Sequence, residues 1–106
     1  MLYLSGPMSG YPDYNFPAFE TAARALRELG HVIVSPHEGE NSLKEGWEWA
    51  DYLKRDLQML VSCRGIVLMQ GWHKSRGARL ELHVALELGF EVHYLEVLLN
   101  AERTSA

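Results

Sequence analysis

Cysteine is almost absent from this 106-residue chain, which carries Cys63 alone. An intramolecular disulfide framework is therefore excluded, and a reducing compartment is the natural setting. Basic runs are missing too: Lys and Arg number 10 against 14 Asp and Glu, for a net charge of −4. A binder of nucleic-acid polymers needs a basic stripe to neutralise phosphates, so that class of partner is not expected. Apolar runs such as Gly65–Met69 are far too short to span a bilayer, and the N-terminal residues show no signal-peptide pattern. These shortages together describe a cytoplasmic protein with no membrane partner. Metal-ligand spacing is also lacking. His31, His37, His73, His83 and His93 are dispersed, with no neighbouring Cys or Asp to complete a zinc set, so no metal or other cofactor is expected.

What is present is an ordinary globular composition, 47% hydrophobic and 23% charged, in a length suited to one domain. Four short β-type runs alternate with three helical patterns. The runs are Leu2–Leu4, Val32–Val34, Gly65–Met69 and Glu91–Leu95. Between the first two, Phe16, Phe19, Ala22, Ala23, Leu26 and Leu29 recur at helical spacing, with Asn15 as a candidate N-cap and Gly30 as a stop. Ser42-Leu43-Lys44-Glu45 has the form of a capping box and predicts a second helix from there to about Val61. Gly77 to Leu88 predicts the third, ended by Gly89. The expected fold is α/β: a small flavodoxin- or Rossmann-like three-layer sandwich on a four-stranded parallel sheet of order 2-1-3-4. Residues 1–96 form the domain, and residues 97–106 are expected as a tail, with a short helix that frays after Asn100. Ligands of such sheets bind at the carboxyl ends of the strands beside the topological switch, here the loops Ser5–Asn15, Ser35–Asn41 and Gln70–Arg76. His37 and His73 fall in those loops and are placed to touch a substrate.

Two carboxylates sit where apolar residues belong. In the second helix Trp49, Leu53, Leu57 and Leu60 form a stripe that also takes in Asp56. In the third, Ala78, Leu82, Ala85 and Leu88 define the inner face, and Glu81 falls within it. A buried carboxylate without a partner is costly, and perturbed carboxylates gather where acid–base or nucleophilic chemistry takes place. Arg79, His83 and Glu87 recur on the opposite, solvated face, and Cys63 reads as a small core residue. After the first strand, Gly6-Pro7-Met8-Ser9-Gly10 allows close backbone approach to a ligand, and Ser9 can donate to a phosphate oxygen. The loop lacks the Lys of a Walker loop and the third Gly of a dinucleotide fingerprint, which argues against ATP and NAD.

Tyr3-Leu4-Ser5-Gly6-Pro7-Met8-Ser9-Gly10 resembles the opening of the nucleoside 2-deoxyribosyltransferase-like superfamily. Ser75 to Ala85, closing at Gly89, resembles that superfamily's Gly-x-x-x-Glu-x-Gly-x-Ala-x-x-x-Gly segment. The Asn15-Phe16-Pro17 turn and the Trp72/Ser75/Gly77/Ala78/Glu81 pattern are most similar to a small, often phage-encoded group of uncharacterised proteins, the DUF4406-like group. The resemblance implies a catalytic set of Glu81 as nucleophile, Asp56 as second carboxylate and Tyr3 as a hydrogen-bond donor to the nucleophile. It implies substrate and phosphate contacts from Gly6, Met8, Ser9, Gly10, Ser75 and Gly77. Transferases of the superfamily usually carry an Asp at the place of Ser75, whereas its nucleoside 5′-monophosphate N-hydrolases carry a phosphate-binding Ser. The implied activity is therefore N-glycosidic cleavage of a 2′-deoxynucleoside 5′-monophosphate. Deoxyribosyl transfer and a non-catalytic nucleotide-binding module are the alternatives. The resemblance also implies a homo-oligomer, for which Trp47, Trp49, Tyr52, Trp72 and Val97-Leu98-Leu99 offer apolar surface. Two positions depart from the pattern: Arg64 stands in place of an Asp, and His83 in place of a Gly.

Overall fold

The computed structural model describes residues 1–38 and 44–104, with side chains to residue 101. Four parallel strands, β1 (Leu2–Ser5), β2 (Ile33–Val34), β3 (Gly65–Leu68) and β4 (Glu91–Tyr94), pair in the order β2-β1-β3-β4. The register sets Leu2 beside both Ile33 and Gly65, Ser5 beside Leu68, and Gly65 beside Glu91. Among the described residues, four α-helices cover the sheet: α1 (Phe16–Glu28), α2 (Trp49–Val61), α3 (Arg76–Glu87) and α4 (Leu95–Thr104). None of the described helices is long and apolar enough to cross a membrane.

The period of two in a strand divides the interior into two cores. Leu2 and Leu4 of β1 join Val67 and Met69, the α1 residues Phe19, Ala22, Ala23 and Leu26, and the α4 residues Leu95, Leu98 and Leu99. Tyr3, Ile66 and Leu68 point the other way, toward Leu60 at the end of α2 and Ala85 of α3. Strands β1 and β3 are buried throughout, which is why they read as apolar runs. This is the expected three-layer sandwich in the expected strand order.

Helix boundaries depart from the periodicity in instructive ways. Ser42 and Leu43 of the expected capping box lie outside the described residues, and residues 44–48 are not helical. Gly46 adopts a left-handed φ of 80°, and the Tyr52 hydroxyl holds both the amide and the carbonyl of Lys44, at 2.8 and 2.9 Å. The helix starts only at Trp49, where Asp51 accepts from the Glu48 amide at 3.0 Å. Asn15 does precede α1, but its φ is +63° and its side chain does not cap the helix. It donates instead to the Pro7 carbonyl at 2.9 Å, tying the loop after β1 to the helix start. Leu88 falls just past α3 and is exposed, and Trp49, at the first residue of α2, is 36% exposed and does not join the core. The helix α4 begins at Leu95 and continues beyond Asn100; Ser105 and Ala106 lie outside the described residues.

Candidate active site

The site lies at the carboxyl ends of β1 and β3, in a cleft of about 450 Å³ between α2, α3 and the loop after β1. Its deepest charged residue is Glu81, which is 5% exposed. Ala78, Glu81 and Ala85 form the buried face of α3, so the helix carries this carboxylate against the sheet with its apolar neighbours. Two hydroxyls from β1 meet it there. Tyr3 donates to Oε2 at 2.8 Å and Ser5 donates to Oε1 at 2.6 Å. Both residues belong to the face of β1 turned toward α2 and α3, one strand period apart. Burial pushes Glu81 up to about 7; the Ser5 hydrogen bond opposes this, the charge of Asp56 adds to it, and the Tyr3 hydrogen bond opposes it again. The Tyr3 phenol is itself held well above its ordinary value, by burial first and then by the charges of Glu81 and Asp56.

Asp56 reaches the same cleft from α2 with a side chain 13% exposed. Burial lifts it to about 6, against the pull of Arg55, which lies 3.3 Å away. Arg55 in turn stacks over Trp47 and Tyr52, at 5.5 and 5.3 Å from the ring centroids. Two carboxylates, each raised by burial, therefore share one pocket, an arrangement suited to a nucleophile working beside a general acid.

The walls and rim are chemically distinct from this floor. Tyr11, Tyr14 and Phe16 line one side, and Trp47, Trp49 and Tyr52 the other. Lys74 and Arg76 add positive charge, with the Arg76 guanidinium 4.1 Å from the centre of the Trp49 ring. Ser75 is the N-cap of α3 and accepts from the Ala78 amide at 3.2 Å, which leaves its own O–H to donate. The Ser75 carbonyl takes the Arg79 amide at 3.0 Å, so the amides of Arg76 and Gly77 are the ones without an acceptor inside the helix. They present two backbone donors beside the two cations, as helix N-termini that hold anions do.

Most residues singled out in the sequence meet here. Tyr3, Gly6, Met8, Ser9, Asp56, Ser75, Gly77 and Glu81 all line the cleft. Gly10 does not; it is exposed, and its φ of 84° turns the loop. Gly6 is small for a packing reason as well, since a Cβ there would come within 2.9 Å of Met69 Cβ. His37 and His73 stay outside the cleft. The His37 ring bonds Ser35 and, at 3.0 Å, Glu20, while exposed His73 stacks edge-on to Trp72. Glu20, His37 and Glu38 come together in space, with ligand atoms within 4.8 Å of one another, although they are scattered in the chain. Arg27 grips both oxygens of Glu38 at 2.6 and 2.7 Å, which makes this cluster an ion-pair network. Of the residues suggested for a subunit contact, Trp47, Trp49 and Tyr52 line the cleft, Leu98 and Leu99 pack on the first core, and Val97 is exposed. Arg64 is a surface residue paired with Glu91, and His83 faces solvent. Cys63 is buried in the second core, its thiol pushed up by burial.

Sequence reasoning missed Ser5 and Arg76. Ser5 had a detectable signal, since it follows Tyr3 by two positions and shares its face of the strand. Arg76 had none, because its contact with Trp49 joins the starts of two helices distant in sequence.

Comparison with known proteins bears on the family and the fold. A family described as a domain of unknown function, DUF4406, matches residues 1–94. The chain belongs to the DUF4406 family. Among solved structures, it is similar to the 2-deoxyribosyltransferase of Bacillus psychrosaccharolyticus, with a TM-score of 0.67 at 22% identity. The match covers 88% of this chain and 69% of that one. No curated protein matches the sequence. The DUF4406 chain thus has the deoxyribosyltransferase fold, with Glu81, Asp56 and Tyr3 together at its strand ends.

Proposed function

We propose that this protein cleaves the N-glycosidic bond of a 2′-deoxynucleoside 5′-monophosphate, with Glu81 as nucleophile. The observation that carries this reading is a buried carboxylate held by two hydroxyl donors, beside a second carboxylate, on the floor of an aromatic cleft with a cationic rim.

A Glu81 oxygen attacks the anomeric carbon as the bond to the base breaks, through an oxocarbenium-like transition state. Asp56 delivers a proton to the departing base and then takes one from the water that displaces Glu81, releasing the sugar phosphate with retained configuration. Aromatic rings on both walls suit a planar base. Lys74, Arg76 and the first amides of α3 suit a phosphate, and the Ser75 hydroxyl can add a donor.

A second reading, transfer of the deoxyribosyl group to another base, draws on the fold shared with a 2-deoxyribosyltransferase. It uses the same Glu81 intermediate with a base in place of water. The test is incubation with the canonical deoxynucleotides and deoxynucleosides, with and without an added free base, followed by chromatography. Hydrolysis yields free base from monophosphates alone. Transfer yields a new nucleoside only when the second base is supplied. Protein inert toward the whole panel, yet stabilised by nucleotides, would instead establish a binding module. Glu81→Gln is expected to abolish base release.

A further inference from the structure

The second grip on Glu81 has a role of its own. Ser5 ends β1, is 1% exposed, and donates to Glu81 Oε1 at 2.6 Å across 76 positions of chain. Its backbone is locked in the sheet: its carbonyl accepts from the Met69 amide at 2.8 Å, and it stands in register with Leu68. The donor is therefore placed by the strand and not by a mobile loop. One hydrogen bond alone would leave a carboxylate free to turn about its last torsion. Donors on both oxygens, from residues two apart on one strand face, define its plane. Each oxygen retains a lone-pair site for attack.

We infer that Ser5 is a positioning residue for Glu81, its hydroxyl holding Oε1 while Tyr3 holds Oε2, so that the carboxylate meets a substrate ionised and in one orientation. An ionised carboxylate accepts both donated hydrogen bonds strongly, whereas a protonated one has a weaker acceptor at its O–H oxygen, so the pair favours the charged form. This counteracts the burial that pushes Glu81 toward its neutral form. The titratable and charged groups that line the cleft with it are Tyr3 on β1, Asp56 and Arg55 on α2, Lys74 just before α3, Arg76 at its first residue, and Tyr11 and Tyr14 in the loop after β1. Ser5 and Tyr3 are the two that hydrogen-bond it directly. The consequence for catalysis rests on the glycosidic reading; the consequence for the ionisation of Glu81 does not.

The test is a carboxyl-carbon NMR titration of Glu81, its signal assigned by loss in Glu81→Gln, in the whole chain and four variants. Ser5→Ala and Ser5→Cys, which remove the strong donor with different side-chain volumes, are expected to move the Glu81 titration upward by about one to two pH units. Ser5→Thr, which restores a hydroxyl, should return it toward the parent value. Ser35→Ala removes a different buried hydroxyl and should leave it unmoved. The acidic limb of base release should shift with the titration. A Glu81 titration unchanged in Ser5→Ala and Ser5→Cys overturns the inference, as does an equal shift in Ser35→Ala or in Ser5→Thr. Should the parent protein release no base while Ser5→Ala still moves the titration, the positioning role stands and the glycosidic reading fails.

Discussion

The Tyr3 hydroxyl donates to Glu81 Oε2 at 2.8 Å, joining the first strand to the third helix across 78 positions of the chain. Tyr3→Phe keeps the ring that packs among Leu60, Cys63, Ile66 and Ala85 and removes only the donor. Hydrogen bonds to charged groups contribute about 1.5–3 kcal/mol, so base release is expected to fall by about 10- to 100-fold. Steady-state kinetics should show that loss at neutral pH and a smaller one above about pH 9, where Glu81 is ionised with or without the donor. An equal loss at all pH values would remove Tyr3 from the control of Glu81.

Glu81 also predicts an unusual dependence of stability on pH. Its ordinary value of 4.5 is raised to about 7 in the folded chain. Between those values the folded state binds more protons than the unfolded state, so this group's contribution is full below about 4.5 and is lost as pH rises through 7. The loss amounts to about 3 kcal/mol by linkage. Asp56, raised from 3.8 to about 6, acts in the same direction. Glu81→Gln, whose amide can satisfy both hydroxyls without charge, is expected to melt several degrees above the parent at pH 8 and close to it at pH 4.5. Thermal melts by circular dichroism across that range would reveal the crossing.

The two carboxylates should shape the rate profile as a pair. Productive chemistry needs Glu81 ionised and Asp56 protonated, while burial places their titrations near 7 and 6, with the charge of Asp56 adding to the rise of Glu81. The dyad's apparent values then bracket a narrow optimum of kcat/KM between about pH 6 and 7. Asp56→Asn should lower the rate by about 100-fold or more and erase the alkaline limb. An alkaline limb that persists in Asp56→Asn would assign the acid to another group.

Arg76 offers the sharpest separation of phosphorylated from free substrates. Its guanidinium lies over Trp49 at the cleft rim, one residue past the N-cap of α3. Arg76→Ala is expected to raise KM for a deoxynucleoside monophosphate about tenfold while leaving the corresponding nucleoside nearly unchanged. Competition by inorganic phosphate should weaken in parallel. Equal effects on both substrates would mean that the phosphate lies elsewhere.

Much of this protein could be read from the chain without coordinates. Alternating β and α periodicities, with no cysteine framework and no basic stripe, led to the right strand order and to the end of the sheet where the cleft lies. Helical spacing alone marked Glu81 and Asp56 as carboxylates on apolar faces, because a side chain's face on a helix depends only on local geometry. The limits of that reasoning appear at particular residues. The second helix starts at Trp49 under the Glu48–Asp51 cap, later than the four-residue signature predicts, since the Gly46 turn and the Tyr52–Lys44 hydrogen bonds keep residues 44–48 out of the helix. Glu20, His37 and Glu38 look unrelated until the fold gathers them.

The same division runs through the site. The sequence determined that Tyr3 and Ser5 share a face of β1 and that Glu81 lies on the inner face of α3, for both follow from the repeat of a strand or a helix. Only the tertiary structure decided that those faces meet with two hydroxyls on two carboxylate oxygens. That contact depends on how α3 lies against the sheet, which long-range packing sets and no local periodicity records.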